Sequence, residues 1–185
     1  MKAKLFRSLL VVVVVTMFLS SAKAQVKWMS FEDGLALAKS TKKKIIVDMY
    51  TDWCGWCKHM DKTTFSQPII ARIIQDYYIP IKFNAEQRNA VLYNGKLYKY
   101  ISKGNGGYHE LAVEFVRDQL SFPTLVFLDE QGNMIQPLPG YQDARGLEVI
   151  LSYFARNYHK STPWSSYQRT YQPLRQDNMS VPVKW

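Results

Sequence analysis

Apolar and polar positions alternate along this chain in blocks whose length and spacing predict most of its elements. Residues 45–50, Ile-Ile-Val-Asp-Met-Tyr, form an apolar run broken by one acid, the signature of a central strand buried on both faces. Residues 78–84 and 125–128 read as two further strands. Residues 134–138 follow a turn at 129–133 and form the hairpin partner of the last strand. Helical spacing covers 28–39, with Ser30 as N-cap, Asp33 in the first turn and Phe31, Leu35 and Ala38 on one face. A second helix is predicted at or just beyond Cys54, carrying Met60. It breaks near Ser66-Gln67-Pro68 before resuming through Ile70, Ile73 and Ile74, because proline does not sit inside a straight helix. Residues 110–120 and 144–158 complete the helices. Between them Asn94-Gly95 joins two short apolar stretches, a strong hairpin signal, and residues 104–107 read as a flexible turn. The order predicts an α/β domain. A parallel strand pair continued by an antiparallel hairpin makes a mixed central sheet with helices on both faces.

The first residues follow a different logic. Lys2, Lys4 and Arg7 precede the unbroken apolar run 9–15, and Ser20, Ser21 and Ala22-Lys23-Ala24 follow it. This is the three-part pattern of a secretory signal peptide cleaved after Ala24. The competing reading is an uncleaved anchor, although the run falls short of the about 20 residues that a span needs. The expected organisation is a leader at 1–24, one domain at 25–160 with an insertion at about 86–118, and a tail at 161–185 whose pattern does not decide whether it packs. The expected location is the periplasm. Loss of Lys2, Lys4, Arg7 and Lys23 with the leader lowers the formal charge from +9 to +5, an excess too mild to argue for nucleic acid.

The chain has two cysteines, Cys54 and Cys57. A disulfide framework links distant segments and a structural zinc site needs four ligands, so a lone close pair suits neither. At a helix start the two face one side of the first turn. There the free amides and the helix dipole favour a Cys54 thiolate. Cys54, the more exposed, is expected to attack a substrate disulfide, and the more buried Cys57 to resolve the mixed disulfide. The alternatives are an inert disulfide and a metal site with His59, which the helix turns away from the pair. No metal is expected. Asp48 lies in the strand that feeds the cysteines. If buried, it has a raised pKa and suits a proton acceptor for Cys57; the alternative turns it to the sheet edge or to solvent. Trp53 and Trp56, with Gly55 between the cysteines, are candidates for a substrate-contact surface, against ordinary core or rim packing. His109 and His159 are read as non-catalytic. The glycines at 104–107 lack a phosphate loop's lysine and hydroxyl residue, which disfavours nucleotide binding.

Residues 47–58, Val-Asp-Met-Tyr-Thr-Asp-Trp-Cys-Gly-Trp-Cys-Lys, and residues 122–129, Phe-Pro-Thr-Leu-Val-Phe-Leu-Asp, together with Gly132 and Gly140, resemble the thioredoxin superfamily. More narrowly, they resemble the exported thioredoxin-like proteins of Bacteroidetes-type bacteria. The resemblance implies a thioredoxin-like fold, Cys54 as attacking and Cys57 as resolving cysteine, and Asp48 as the buried acid. It also implies Lys82 as that acid's partner and Pro123 as a cis proline facing the disulfide. Phe122 would offer backbone hydrogen bonds to an extended substrate. Two departures stand out. Gly-Trp replaces Gly-Pro between the cysteines, and about 41 positions separate Lys82 from Pro123, roughly twice the spacing of a small thioredoxin. The implied function is extracytoplasmic thiol–disulfide exchange, reductive in direction, without a small-molecule cofactor. Its partners would be cysteine-bearing client proteins and a membrane-bound electron donor. The alternatives are a disulfide oxidase or isomerase and, from another class, a non-catalytic client-binding or chaperone-like module.

Overall fold

The computed structural model describes residues 25–117 and 119–173. The expected leader at 1–24 and the tail residues 174–185 lie outside them. The elements run α1 (Phe31–Thr41), β1 (Lys44–Tyr50), α2 (Gly55–Thr63), α3 (Pro68–Tyr77), β2 (Tyr78–Asn84), β3 (Val91–Tyr93), β4 (Lys96–Tyr98), β5 (Tyr100–Lys103), β6 (Gly106–His109), α4 (Glu110–Val116), β7 (Thr124–Leu128), β8 (Met134–Pro139), α5 (Ala144–Ala155), a short 3-10 turn (Tyr158–Lys160) and α6 (Trp164–Thr170). The main sheet has the order β2-β1-β7-β8. β1 pairs parallel with β2 and antiparallel with β7, which pairs antiparallel with β8. The sheet is therefore mixed, as the order of elements predicted.

β1 lies inside the sheet, so both of its faces are covered and its side chains divide by parity. Ile46 joins Met60, Ile70, Ile74, Phe127, Leu147 and Leu151 in one core. Ile45, Val47 and Met49 join Phe31, Phe83 and Phe115 in the other. Asp48 shares the parity of Ile46 and so lies on the side of α2. Gly34 lets α1 close onto β2, since a Cβ there would stand 2.3 Å from Ile81 Cγ1. Ser30 caps α1 by accepting from the Asp33 amide at 3.1 Å. α3 starts at Pro68, where the missing N–H costs nothing. Ahead of α1, Met29 exchanges backbone hydrogen bonds with Pro80 and Lys82, so the chain leading into the domain covers the edge of β2.

The insertion holds two hairpins. The first turns at Asn94 and Gly95, with φ of 49° and 78°. The second, β5–β6, replaces the flexible turn expected at 104–107. Gly106 and Gly107 are poor strand formers by composition, yet Gly107 is needed, because a Cβ there would lie 2.2 Å from the Ile101 carbonyl. The insertion packs Tyr93 and Phe115 against Phe31. α4 is shorter than its pattern, ending at Arg117 in a positive-φ conformation, and α5 stops at Ala155 ahead of Asn157, with φ of 60°. α6 packs back through Tyr167 onto Tyr153 and Tyr158. No helix among the described residues is long and apolar enough to cross a membrane.

Candidate active site

β1 ends at Tyr50, and the turn 51–54 closes with a hydrogen bond from the Cys54 amide to the Thr51 carbonyl at 3.1 Å. Cys54 is the N-cap of α2, its Sγ accepting from the Cys57 amide at 3.0 Å. The two sulfurs are bonded, with the Cα atoms 5.3 Å apart. The sequence placed Cys54 outside and Cys57 inside, but both are buried, at 4% and 3% exposure. In the closed pair the Cys54 sulfur is drawn back over the first turn towards the Cys57 amide. The exposed groups are instead the two tryptophans, Trp53 at 67% and Trp56 at 62%.

Each indole is held from the side. Trp53 donates through Nε1 to Glu86 Oε1 at 2.9 Å, and its ring meets Phe122 edge-on at 5.8 Å. Glu86 stands at the start of the insertion, which therefore borders the site. Trp56 packs against Tyr141 at 5.4 Å and His59 at 5.6 Å, and these two rings also touch. His59 thus packs against Trp56 and Tyr141. Tyr141 follows Gly140, whose amide donates to the Pro123 carbonyl at 2.8 Å. The Phe122–Pro123 bond is cis. Antiparallel pairing of Met49 with Thr124 brings Pro123 to the same end of the sheet as the cysteine turn.

Beneath α2 lies a charged cluster. Asp48 and Lys82 are register partners on β1 and β2, and Lys82 Nζ donates to Asp48 Oδ2 at 2.5 Å. It also donates to Asp61 Oδ1 at 2.6 Å. The rings of Trp28, Tyr50 and Phe65 surround the ammonium at 5.1, 5.1 and 5.7 Å. Burial raises the Asp48 carboxyl from the ordinary 3.8 to about 6, against the opposing pull of Lys82. Burial pushes Lys82 down, but the two carboxylates outweigh it and hold the amine above the usual lysine value. Asp48 Oδ1 is buried without a hydrogen-bond partner among the described residues.

The structure thus brings Asp48 and Lys82 together under the helix, and groups Trp53, Trp56, Phe122 and Pro123 around its start. Sequence reasoning missed Asp61, Glu86 and Tyr141. Only Asp61 carried a signal, being placed four residues after Cys57 on the same helix face. His109 is buried and structural: Nδ1 accepts from the Leu111 amide at 3.2 Å, and Nε2 lies 3.0 Å from the Asn89 carbonyl.

Comparison with known proteins places this geometry. Residues 31–155 match the family model of the thioredoxin-like domain. The thiol:disulfide interchange protein DsbD of Vibrio vulnificus is 27% identical over 136 residues, 68% of this chain and 20% of that protein. Its namesake from Salmonella typhi is 30% identical over 112 residues, 59% of this chain and 16% of that protein. The chain therefore spans about a fifth or less of the length of these curated relatives. Among solved structures, a candidate disulphide-isomerase from Bacteroides thetaiotaomicron superposes with a TM-score of 0.52 at 21% identity, covering 77% of this chain and 99% of that one. A thioredoxin from Thermus thermophilus gives 0.51 at 14% identity, over 80% and 98%. At these identities the two structures speak for the fold alone. The family match extends over about two thirds of the sequence and includes the strand, the cysteine turn and the cis-proline loop, so the chain belongs to the thioredoxin-like domain family.

Proposed function

We propose that this protein is an extracytoplasmic thiol–disulfide oxidoreductase that reduces disulfides of exported client proteins. The observation that carries the reading is the cysteine pair on the first turn of α2 above a buried carboxyl held near 6. In the dithiol form the Cys54 thiolate attacks one sulfur of a client disulfide. The client S–S bond breaks, and its other sulfur leaves and takes up a proton. Cys57 then gives its thiol proton to Asp48, largely ionised at neutral pH, and attacks the Cys54 sulfur of the mixed disulfide. The second client sulfur leaves, and two electrons have passed from the pair to the client. These steps move electrons between sulfurs alone and call for no metal or organic cofactor. Re-reduction needs a dithiol donor, for which a membrane-bound partner suits the periplasmic location that the leader implies.

Trp53 and Trp56 flank the pair and the Phe122–Pro123 edge lies beside it, an arrangement suited to a short extended client segment. Replacing Cys54 by serine tests the enzymatic reading, which fails if insulin reduction persists. Direction is tested by the equilibrium potential of the pair. A value near about −270 mV supports a reductase, and one near about −120 mV turns the reading to an oxidase.

A further inference from the structure

The Lys82 ammonium has two carboxylate partners where proton transfer at Asp48 needs only one. We infer that Lys82 is a shared counter-ion that passes from Asp48 to Asp61 during turnover, which makes Asp61 a positioning residue for the proton step. The inference rests on the reading of Asp48 as the acceptor of the Cys57 proton.

The geometry builds this handover in one line. Asp48, Lys82 and Asp61 are joined by contacts of 2.5 and 2.6 Å. Their side chains are 2%, 19% and 43% exposed in that order, a gradient from the core to solvent. A cavity of about 420 Å³ opens on the outer half of the line, walled by Gln25, Trp28, Asp61, Phe65 and Lys82. It is large enough for water. Asp48 is not among its lining residues. Solvent thus has access to Asp61 and Lys82, while Asp48 is buried at 1% exposure.

Charge accounting shows what Asp61 does. With Asp48 ionised, the three groups carry one net negative charge. When Asp48 takes the thiol proton they are neutral, and the ammonium remains fully paired with Asp61. Without Asp61, the same proton transfer would leave Lys82 charged in a half-buried cage of Trp28, Tyr50 and Phe65 with no carboxylate, a costly state that opposes the transfer. Asp61 therefore raises the proton affinity of Asp48, both by its own charge and by drawing Lys82 away. The direction agrees with the electrostatics, since the Asp61 charge pushes the Asp48 carboxyl up. The other titratable group facing the cluster is the Tyr50 phenol, which burial and then Asp52 push above its ordinary value, so it stays neutral through the relevant range.

The test is a carboxyl NMR titration of Asp48 in the oxidised protein, where no thiol titrates, for the natural chain, Asp61→Asn and Asp61→Glu. The Asp48 midpoint should fall by roughly one pH unit in Asp61→Asn, the size a neighbouring charge produces, and return most of the way in Asp61→Glu. The acid limb of the pH–rate profile for insulin reduction should move with it. A midpoint unmoved in Asp61→Asn, or equally lowered in Asp61→Glu, overturns the handover. The base role is tested separately: if Asp48→Asn exchanges disulfides at the natural rate while the midpoint shifts as expected, the handover stands and the role of Asp48 in resolution falls.

Discussion

Asp48 occupies a site that opposes its own ionisation, and folding stability should show this directly. The carboxyl titrates near 3.8 in the unfolded chain and at about 6 in the fold, chiefly because burial disfavours the charged form. Below about pH 3 it is protonated in both states and differs little from an amide. As pH rises past 3.8 the unfolded chain ionises first, so the folded state loses stability relative to an Asp48→Asn variant. The loss is complete once pH exceeds the folded value. A rise from 3.8 to about 6 corresponds to about 3 kcal/mol. Asp48→Asn should therefore gain about 3 kcal/mol on the natural protein between pH 3 and pH 7. The pull of Lys82 on the ionised carboxylate is already contained in the folded value of about 6. Denaturant unfolding of the oxidised proteins at half-unit pH steps measures the two curves. Parallel curves from pH 3 to pH 7 would refute the reasoning, because they would mean that Asp48 titrates alike in the folded and unfolded chains.

Other expectations follow from packing and exposure. Gly34→Ala should destabilise by about 1–3 kcal/mol in thermal or denaturant unfolding, because its Cβ would meet the fully buried Ile81 at 2.3 Å. Tyr167→Ala should cost about 3 kcal/mol, since its ring is 7% exposed among Tyr153, Tyr158 and Tyr171; an unchanged unfolding midpoint would show that α6 adds nothing to the domain. Trp56→Ala should shift stability by less than about 0.5 kcal/mol because its ring is exposed. Steady-state kinetics should then show a several-fold higher KM for protein clients with little change for a small dithiol-reducible probe.

The sheet and the cysteine turn were legible because each depends on local pattern. The apolar runs at 45–50 and 125–128 can be satisfied only in the middle of a covered sheet. The lone acid in the first run points to a buried carboxyl or to an acid at the sheet edge, and Asp48 is buried at 1% exposure. Asn94-Gly95 forms its hairpin from backbone preference alone, with both residues at positive φ. What could not be read depends on how elements meet. Gly107 sits in a strand where Ile101 and Tyr100 close over it and leave no room for a side chain. Tyr141 reaches Trp56 because Gly140, at φ of 91°, turns the chain beside Pro123. The spacing of Asp61 from Cys57 places it on the cysteine face of α2, but its contact with Lys82 depends on how α2 packs over β2. The burial of Cys54 belongs to the closed disulfide, and residue type alone does not distinguish it from an open thiol.

Both halves of the site trace back to the register of β1. Side chains at 46, 48 and 50 share one face, so the packing that buries Ile46 under α2 and α3 also sets Asp48 beneath the cysteine helix and lays Tyr50 against Lys82. The same register pairs Met49 with Thr124, and so aligns the turn carrying Trp53 and Cys54 with the loop carrying Phe122 and Pro123. A slip of one residue would turn Asp48 into the core of Phe31 and Phe83 and would move the cis-proline loop off the disulfide, because strand side chains alternate faces. A carboxylate placed there would lose the partner that Lys82 supplies on the other face. The cost of an unpaired buried charge thus acts with the apolar pattern to fix the register. The acid that weakens the fold at neutral pH helps to specify which fold forms, and the same register sets Asp48 under the cysteine helix and the Phe122–Pro123 loop beside the disulfide.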